Sequence, residues 1–220
     1  MQISAVLLAR SIALFDTADL NPRGKVFLPK LIPLLAERFS FQTIPVKPEE
    51  LDESKGVAFR SGYFEGQTIS ELTFYNDGIK VDLQSSTEEG QSFIHQTLHW
   101  LSEETGLVYS DGMIKRWGLL SQLTFHSDMD MDGIHPAFRT VADEVTTLVS
   151  ARTGLPLTFR TSGLSFNFER VNGDIPIATF SIERRAKSLH SENKYFSQAP
   201  IQTTEHIRIL TELEKSIESR

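Results

Sequence analysis

Cysteine is absent from all 220 residues of the sequence. This absence excludes disulfide frameworks, zinc sites with thiolate ligands, iron–sulfur clusters and cysteine nucleophiles. Long apolar runs are missing as well, since no stretch approaches the ~20 consecutive apolar residues that a membrane-spanning helix needs. We therefore expect a globular chain with no membrane-embedded segment.

Basic residues are fewer than acidic residues. The chain has 22 Lys and Arg against 29 Asp and Glu, which gives a formal net charge of −7. Proteins that bind nucleic acids neutralise phosphates with Lys and Arg, so this balance disfavours nucleic acid as a partner. Hydrophobic residues make up 40% of the chain and charged residues 23%, a composition that favours a folded protein over intrinsic disorder.

Residues 3–15 are the only candidate for a targeting segment. A secretory signal begins with basic residues, continues as an uninterrupted apolar stretch and ends with small residues at a cleavage site. Here no Lys or Arg precedes the apolar stretch, and Arg10 interrupts it. We interpret the segment as a buried first strand and predict a cytoplasmic location.

The first half of the chain predicts a strand, a helix, three strands and a second helix. Their approximate ranges are 3–15, 26–39, 57–64, 69–75, 79–84 and 87–105. Pro29 and Pro33 predict that the first helix is kinked or divided, because an interior proline removes a hydrogen bond. Asn76-Asp77-Gly78 predicts a hairpin turn, while a capping box at Ser86 and the stop at Gly106 delimit the second helix.

The second half predicts a strand, a helix, two strands and a helix. Their approximate ranges are 114–126, 136–153, 157–170, 175–185 and 203–219. Val171-Asn172-Gly173-Asp174 predicts the turn between the two strands, and residues 186–201 are interpreted as a polar loop. The first of these helices carries an apolar stripe made of Phe138, Val141, Val145, Leu148 and Val149. Four phenylalanines are expected in the core, namely Phe159, Phe166, Phe168 and Phe180.

The two halves predict nearly the same order of elements. Residues 1–106 read as β-α-β-β-β-α, and residues 107–220 as β-α-β-β-(β)-α. Residues 13–24 resemble 124–133, since each is a strand end and an Asp-rich turn before a helix. We predict an α+β fold of two tandem similar units that share one extended antiparallel sheet, with helices packed on one face. Two similar units that arose independently are the alternative.

This element order resembles the half-repeat of the TATA-binding-protein-like saddle. The resemblance implies a curved antiparallel sheet with one open face and helices on the other. Strand alternation assigns polar residues to the open face, because Leu72 and Phe74 point away from Glu71. The predicted binding-face residues are Glu71, Thr73, Tyr75, Ser165, Asn167, Glu169, Thr179, Ser181 and Glu183. All are neutral or acidic, which suits a protein or a small ligand better than DNA.

An acidic turn at Asp128, Asp130 and Asp132 is the sharpest local motif. Three carboxylates at alternate positions followed by Gly133 match the first half of a calcium-binding loop. The twelfth position is Arg139, where such a loop has a bidentate glutamate. We keep two hypotheses open, a divalent-cation site and an acidic turn stabilised by the N-terminus of the following helix. The sequence predicts no other cofactor.

Four histidines offer weaker candidates for metal ligands. His95 and His99 are four residues apart on one helix face, but Gln96 stands where the HExxH motif has its general base. We interpret them as a solvent-facing pair. His126 and His135 flank the acidic turn and would give a mixed His/Asp site as an alternative to ordinary structural roles.

No motif for a serine-hydrolase elbow, a Walker loop or a dinucleotide-binding turn occurs in the sequence. We therefore predict a non-catalytic protein-binding or assembly module. It would act through the face or edge of its antiparallel sheet on a protein partner or on a second copy of itself. The alternative is a divalent-metal-dependent hydrolase centred on residues 128–133. Nucleic-acid binding by analogy with the saddle is the least favoured function, because of the net charge of −7.

Overall fold

A computed structural model describes residues 1–24, 26–168 and 177–218. These residues form eight strands and five α-helices, so the predicted α+β class is confirmed. The strands are β1 (Gln2–Leu14), β2 (Val57–Phe64), β3 (Gln67–Tyr75), β4 (Gly78–Leu83), β5 (Arg116–His126), β6 (Gly163–Phe166), β7 (Phe180–Arg184) and β8 (Lys194–Ala199). The helices are α1 (Thr17–Leu20), α2 (Leu28–Phe39), α3 (Thr87–Thr105), α4 (Pro136–Thr153) and α5 (Thr203–Glu218).

All eight strands belong to one antiparallel sheet, in the order β2-β3-β4-β1-β5-β8-β7-β6. The two centre strands, β1 and β5, pair along almost their whole length, from Leu14 opposite Arg116 to Gln2 opposite His126. Two register shifts interrupt this pairing between residues 3 and 8. The first four strands in the chain therefore lie on one side of the sheet centre, and the last four on the other.

Small residues on β1 allow α3 to lie close to the sheet. Ala9, Ser11 and Ala13 are fully buried on the face that contacts the helices. Ser11 Oγ donates a hydrogen bond of 2.8 Å to the carbonyl of Thr87 at the start of α3. A Cβ atom on Gly90 would come within 2.6 Å of Ser11 Oγ, so only glycine fits at this helix position.

An aromatic cluster forms the core of the first half. The Phe39 ring lies between 4.9 and 6.0 Å from the rings of Phe41, Phe64, Phe93 and Trp100. Phe39 is the last residue of α2, which is one continuous helix rather than two pieces.

Both prolines of α2 are accommodated within this single helix. Pro29 lies in the first turn, where backbone N–H groups have no helical partner, so its missing donor costs little. Pro33 lies inside the helix and does not divide it.

A second, smaller core lies under α5. Phe125 of β5 and Tyr195 of β8 stack with ring centroids 5.5 Å apart, and Tyr195 Oη donates a hydrogen bond to the carbonyl of Met129. Ile182 of β7 and Leu210 of α5 complete this core.

The interpretation of residues 186–201 as a loop is wrong. They contain β8, which lies between β5 and β7 in the sheet. Its buried residues Tyr195, Ser197 and Ala199 alternate with three half-buried residues. One of the three inward positions is a serine, so the alternation is not one of apolar and polar residues and is difficult to recognise in the sequence.

The two strands predicted over 157–170 and 175–185 are shorter than expected. The described parts form β6 with four residues and β7 with five. The predicted turn at 171–174 lies outside the described residues.

Three of the four phenylalanines that were expected in the core are exposed. Phe159, Phe166 and Phe168 all have large solvent-accessible fractions, whereas Phe180 is half-buried against the second core. The apolar stripe of α4 is also on the surface, since every residue of this helix is exposed or half-buried. The second half thus covers less of its apolar surface than the first.

His206 of α5 is the one histidine in the described part of the chain that is fully buried. Its Nδ1 lies 3.1 Å from Ser121 Oγ on β5, and its Nε2 lies 2.8 Å from Ser197 Oγ on β8. Burial disfavours the charged imidazolium and lowers the pKa of His206 to about 4. The neutral ring therefore joins α5 to two adjacent strands.

Acidification should destabilise the protein through His206. The unfolded chain binds this proton near pH 6.5 and the folded chain only near pH 4, so stability is lost as pH falls between these values. We expect the wild type to lose about 3 kcal/mol of unfolding free energy from this group across the interval. Urea denaturation between pH 7 and pH 4 should show that His206→Asn loses less unfolding free energy than the wild type.

The matched control for this prediction is His126→Asn, which changes a half-exposed histidine on β5. It should keep the pH dependence of the wild type. If the unfolding free energies of the wild type and His206→Asn depended equally on pH, the lowered pKa of His206 would be contradicted.

Candidate binding face of the sheet

The sheet has one face that α2, α3 and α5 do not cover, and we call it the bare face. Side chains on a strand alternate between the two faces, and residues directly opposite one another on paired strands share a face. Leu72 belongs to the first core, so its neighbour Glu71 points to the bare face. The register then places Asp82 and Arg10 beside Glu71 on that face.

Five charged side chains form a ladder of ion pairs across β2, β3, β4 and β1. Glu71 accepts hydrogen bonds from Arg60 Nε at 2.7 Å and from Lys80 Nζ at 2.5 Å. Asp82 accepts two bonds from Arg10, at 2.7 and 2.8 Å, and also lies 3.9 Å from Lys80 Nζ. The charges alternate along the ladder from Arg60 to Arg10, with both Lys80 and Asp82 on β4, so each carboxylate lies between two basic groups.

The inner members of this ladder are largely shielded from water. The side chains of Lys80 and Asp82 are only 14% and 9% exposed. The hydrogen bond to Asp82 raises the pKa of Arg10, although burial opposes the shift. Burial would raise the pKa of Glu71, but the bonds from Lys80 and Arg60 lower it overall. Both shifts favour the charged forms, so Arg10 and Glu71 are ionised near neutral pH.

Apolar side chains also lie at the centre of the bare face, on both sides of Arg10, and we call them the apolar strip. It consists of half-buried side chains from β1, β5 and β8: Leu8, Ile12, Leu14, Leu120 and Phe196. Ile12 lies opposite Gly118, and a Cβ on that glycine would contact Ile12 at 3.4 Å. Polar side chains adjoin these residues, since Arg10 lies opposite Leu120, and Gln122, which is bonded to Gln198 at 3.3 Å, lies opposite Leu8.

The predicted binding-face residues fall into two separate groups. Glu71 and Tyr75 lie on β3 with Thr73, which is buried and donates a hydrogen bond to Glu71. The second group is Ser165 on β6, Ser181 and Glu183 on β7, and the bonded pair Asn167 and Thr179 just beyond these strands. Five strand spacings separate β3 from β7, which is roughly 24 Å. Glu169 lies outside the described residues.

Several residues in the middle of the bare face are not among the predicted binding-face residues. The basic residues Arg10, Arg60 and Lys80 were not predicted as part of the face, and neither was the apolar strip. The face is therefore not uniformly neutral or acidic. A signal was present, because Arg10 and Ile12 alternate with small residues in β1, but the segment was interpreted only as a buried strand.

Each carboxylate of the acidic turn bonds to a different group. Asp128 accepts from Asn193 Nδ2 at 3.0 Å, Asp130 from Arg139 Nη2 at 3.0 Å, and Asp132 from the backbone N–H of Thr161 at 2.7 Å. In the described ranges, no group of three His, Cys, Asp or Glu residues could hold a metal ion. The metal site at 128–133 stays a prediction that the geometry does not favour.

The histidine pair of α3 contacts the segment that follows the helix. His95 Nδ1 lies 2.7 Å from Tyr109 Oη, and His99 Nε2 lies 2.8 Å from Asp111 Oδ1. Burial and the nearby Asp111 raise the pKa of Tyr109 to about 12, so its hydroxyl stays protonated. The pair therefore holds this segment on α3 and does not simply face solvent.

Comparisons with protein-family models, curated proteins and solved structures find no match to this chain. Over the ranges that the structure describes, no helix is long and apolar enough to cross a membrane. The function therefore has to be argued from the geometry and chemistry of the surfaces.

Loss of the Asp82 charge should destabilise the fold. Asp82→Asn leaves Arg10 and the shielded Lys80 short of a counter-charge, and we expect the unfolding free energy to fall by about 1–3 kcal/mol. Glu192→Gln is the control, because its ion pair with Lys194 is much more exposed and should contribute less than about 1 kcal/mol. If urea denaturation showed that both variants lose the same unfolding free energy, the ladder would not be important for stability.

Divalent cations should leave the thermal stability unchanged. The carboxylates of the acidic turn are engaged separately, so millimolar calcium, magnesium, manganese or zinc should not raise the Tm. Differential scanning fluorimetry of the wild type and Asp130→Asn tests this expectation. A rise in Tm that occurs in the wild type and not in the variant would instead support a metal site.

Proposed function

We propose that this chain is a non-catalytic protein-binding or assembly module that uses its bare face. The observation that carries the proposal is the apolar strip, which adjoins Arg10 of the ion-pair ladder and the bonded amides of Gln122 and Gln198. Protein interfaces have this arrangement, with an apolar centre that gains from burial and a polar rim that sets orientation. Ile12, Leu120 and Phe196 would form the centre of the contact.

The chemistry of the ladder supports binding rather than catalysis. A general acid or base needs a proton to exchange near neutral pH. Glu71 and Asp82 are instead held between basic groups by short hydrogen bonds. Their fixed charges suit recognition of a complementary protein surface, since like charges on a wrong partner would be repelled. Because each base already has a carboxylate partner, the ladder is not a phosphate-binding patch.

The proposal includes a tandem repeat, with units at 1–106 and 107–220 and a saddle-like open face. The same order of elements occurs on both sides of the β1–β5 pair. Thr203 N donates to Thr87 Oγ1 at 2.9 Å, and Thr87 N donates to Thr203 Oγ1 at 3.1 Å. Reciprocal contacts of this kind are expected between equivalent residues related by a two-fold axis. Such a repeat would double the length of sheet available to a partner.

The test is to place a charge in the apolar strip. Leu120→Glu should abolish retention of a specific partner from a lysate of the source cells, because association would have to remove water from a carboxylate in place of an apolar side chain. Val46→Glu is the matched control, since Val46 is an exposed apolar residue in a loop away from the strip. Quantitative mass spectrometry should find the partner with the wild type and the control only.

The milder Leu120→Ala keeps the test valid if the charged variant is unstable. Its Tm should stay close to that of the wild type, because Leu120 is half-exposed, while partner retention falls. Identical proteins retained by the wild type, Leu120→Glu and Leu120→Ala would overturn the proposal. A variant that loses its partner only together with its fold would not support it.

A further inference from the structure

The α4 helix and the chain that follows it present an apolar surface distinct from the bare face. We call it the α4 surface, and its large side chains are Phe138, Val141, Leu148, Leu155, Leu157 and Phe159. Each of the six is between 37% and 59% exposed. With about 200 Å² for a large apolar side chain, they present on the order of 500 Å² of apolar surface. That equals the apolar part of one side of a standard protein interface, which is about 800 Å² in total.

The apolar residues of α4 have the spacing of a helix-pairing seam. Phe138, Val141, Val145 and Leu148 are separated by three, four and three residues, which is the a/d pattern of paired helices. In a monomeric protein such a seam normally faces the core. The corresponding helix of the first half, α2, does so and buries Leu31, Ile32, Leu35 and Phe39. The seam of α4 is instead only partly covered, since Phe138, Val141 and Leu148 are 40–59% exposed and Val145 is half-buried.

The α4 surface is a built structure in which the following chain returns along the helix. Ser150 Oγ lies 3.3 Å from the N–H of Leu157, and Thr146 Oγ1 accepts a hydrogen bond of 2.8 Å from the N–H of Phe159. A cleft of about 340 Å³ lies between the helix and the returning chain, and Phe138, Val145 and Leu164 are among the residues that line it. The exposed side chains are thus held in place as one surface.

The charges on α4 are self-complementary. Glu144 and Arg152 are both exposed, and no ion pair is found for either in the described ranges. They are eight residues apart, too far to meet on one helix. An antiparallel copy of α4 centred on Leu148 would place Glu144 of each chain beside Arg152 of the other. A two-fold pairing therefore satisfies both charges twice, and it brings Val145 and Leu148 of each seam into the overlap of the two helices, which extends over residues 143–153.

We propose that a second copy of this chain covers the α4 surface, with the two α4 helices antiparallel and centred on Leu148. The seam residues Val145 and Leu148 then lie in the overlap of the two helices, and the charge pattern is self-complementary, as a pair of identical chains requires. This contact is separate from the bare face and does not depend on the function proposed for it. The protein would then present two bare faces in each dimer.

The first experiment measures the mass of the full chain by sedimentation equilibrium at several concentrations. We expect a species of twice 24.8 kDa, and Leu148→Glu should raise the dissociation constant at least about a hundredfold. The two glutamates introduced at position 148, one from each chain, would meet at the two-fold axis and repel each other. Thr147→Glu is the matched control, because this exposed neighbour lies off the seam and should leave the dimer intact.

A charge exchange tests the antiparallel register. Glu144→Arg and Arg152→Glu should each weaken the dimer, because each brings two like charges together, and the double variant should restore it. A wild type that is monomeric at all concentrations would overturn the proposal, even if another protein binds the α4 surface. A dimer insensitive to Leu148→Glu would overturn it as well. A dimer that is sensitive to Leu148→Glu but is not restored in the double variant would overturn the antiparallel register.

The dimer test and the test of the bare face give independent results. Leu120→Glu should leave the dimer unchanged, because Leu120 is not part of the α4 surface. Circular dichroism of Leu148→Glu should match the wild type, since Leu148 is exposed, and its Tm should equal that of the wild type diluted until the dimer dissociates. If this variant nevertheless unfolds, Leu148→Ala tests the same position and should also weaken the dimer.

Discussion

Pairing of β1 with β5 is the interaction on which the rest of the structure depends. It joins two four-stranded arrays into one sheet and extends from Leu14 opposite Arg116 to Gln2 opposite His126. This register also brings Ile12 of β1 and Leu120 of β5 onto the same face, where they form much of the apolar strip. Without this pair, the ladder on one side and the amides on the other would belong to separate surfaces.

The helix side of the sheet is closed at the same place, where the N-termini of α3 and α5 meet. Two positive helix ends repel each other, and a carboxylate between them relieves that repulsion. Glu88 fulfils this role by accepting hydrogen bonds from the backbone N–H and the hydroxyl of Thr204. Burial would raise the pKa of Glu88, but these bonds lower it overall. The Glu88 carboxylate is therefore charged between the two helix N-termini. The two halves are thus joined twice, by strand pairing within the sheet and by helix capping on its helix side.

The two halves differ in how fully their helices cover the sheet. In the first half α2 contributes a broad apolar face, and Phe39 anchors it in an aromatic cluster. In the second half β6 has only four residues, and the seam of α4 is narrow and interrupted by charged and hydroxyl side chains. The same order of elements therefore produces a closed core on one side. On the other side it leaves apolar surface available for a partner.

The sequence by itself determined the local structure, because caps, turns and periodicity depend on neighbouring residues. Ser86 caps α3 by accepting from Glu89 N, Gly106 ends it with a φ of 80°, and β3 and β4 flank the predicted hairpin turn. Only the tertiary structure decided which strand lies beside β1, that β8 is in the middle of its half, and that Glu71 lies between two bases. These features depend on residues that are distant in the chain. An apolar pattern such as that of α4 predicts a helix and the side that avoids water, but it does not determine what covers that side.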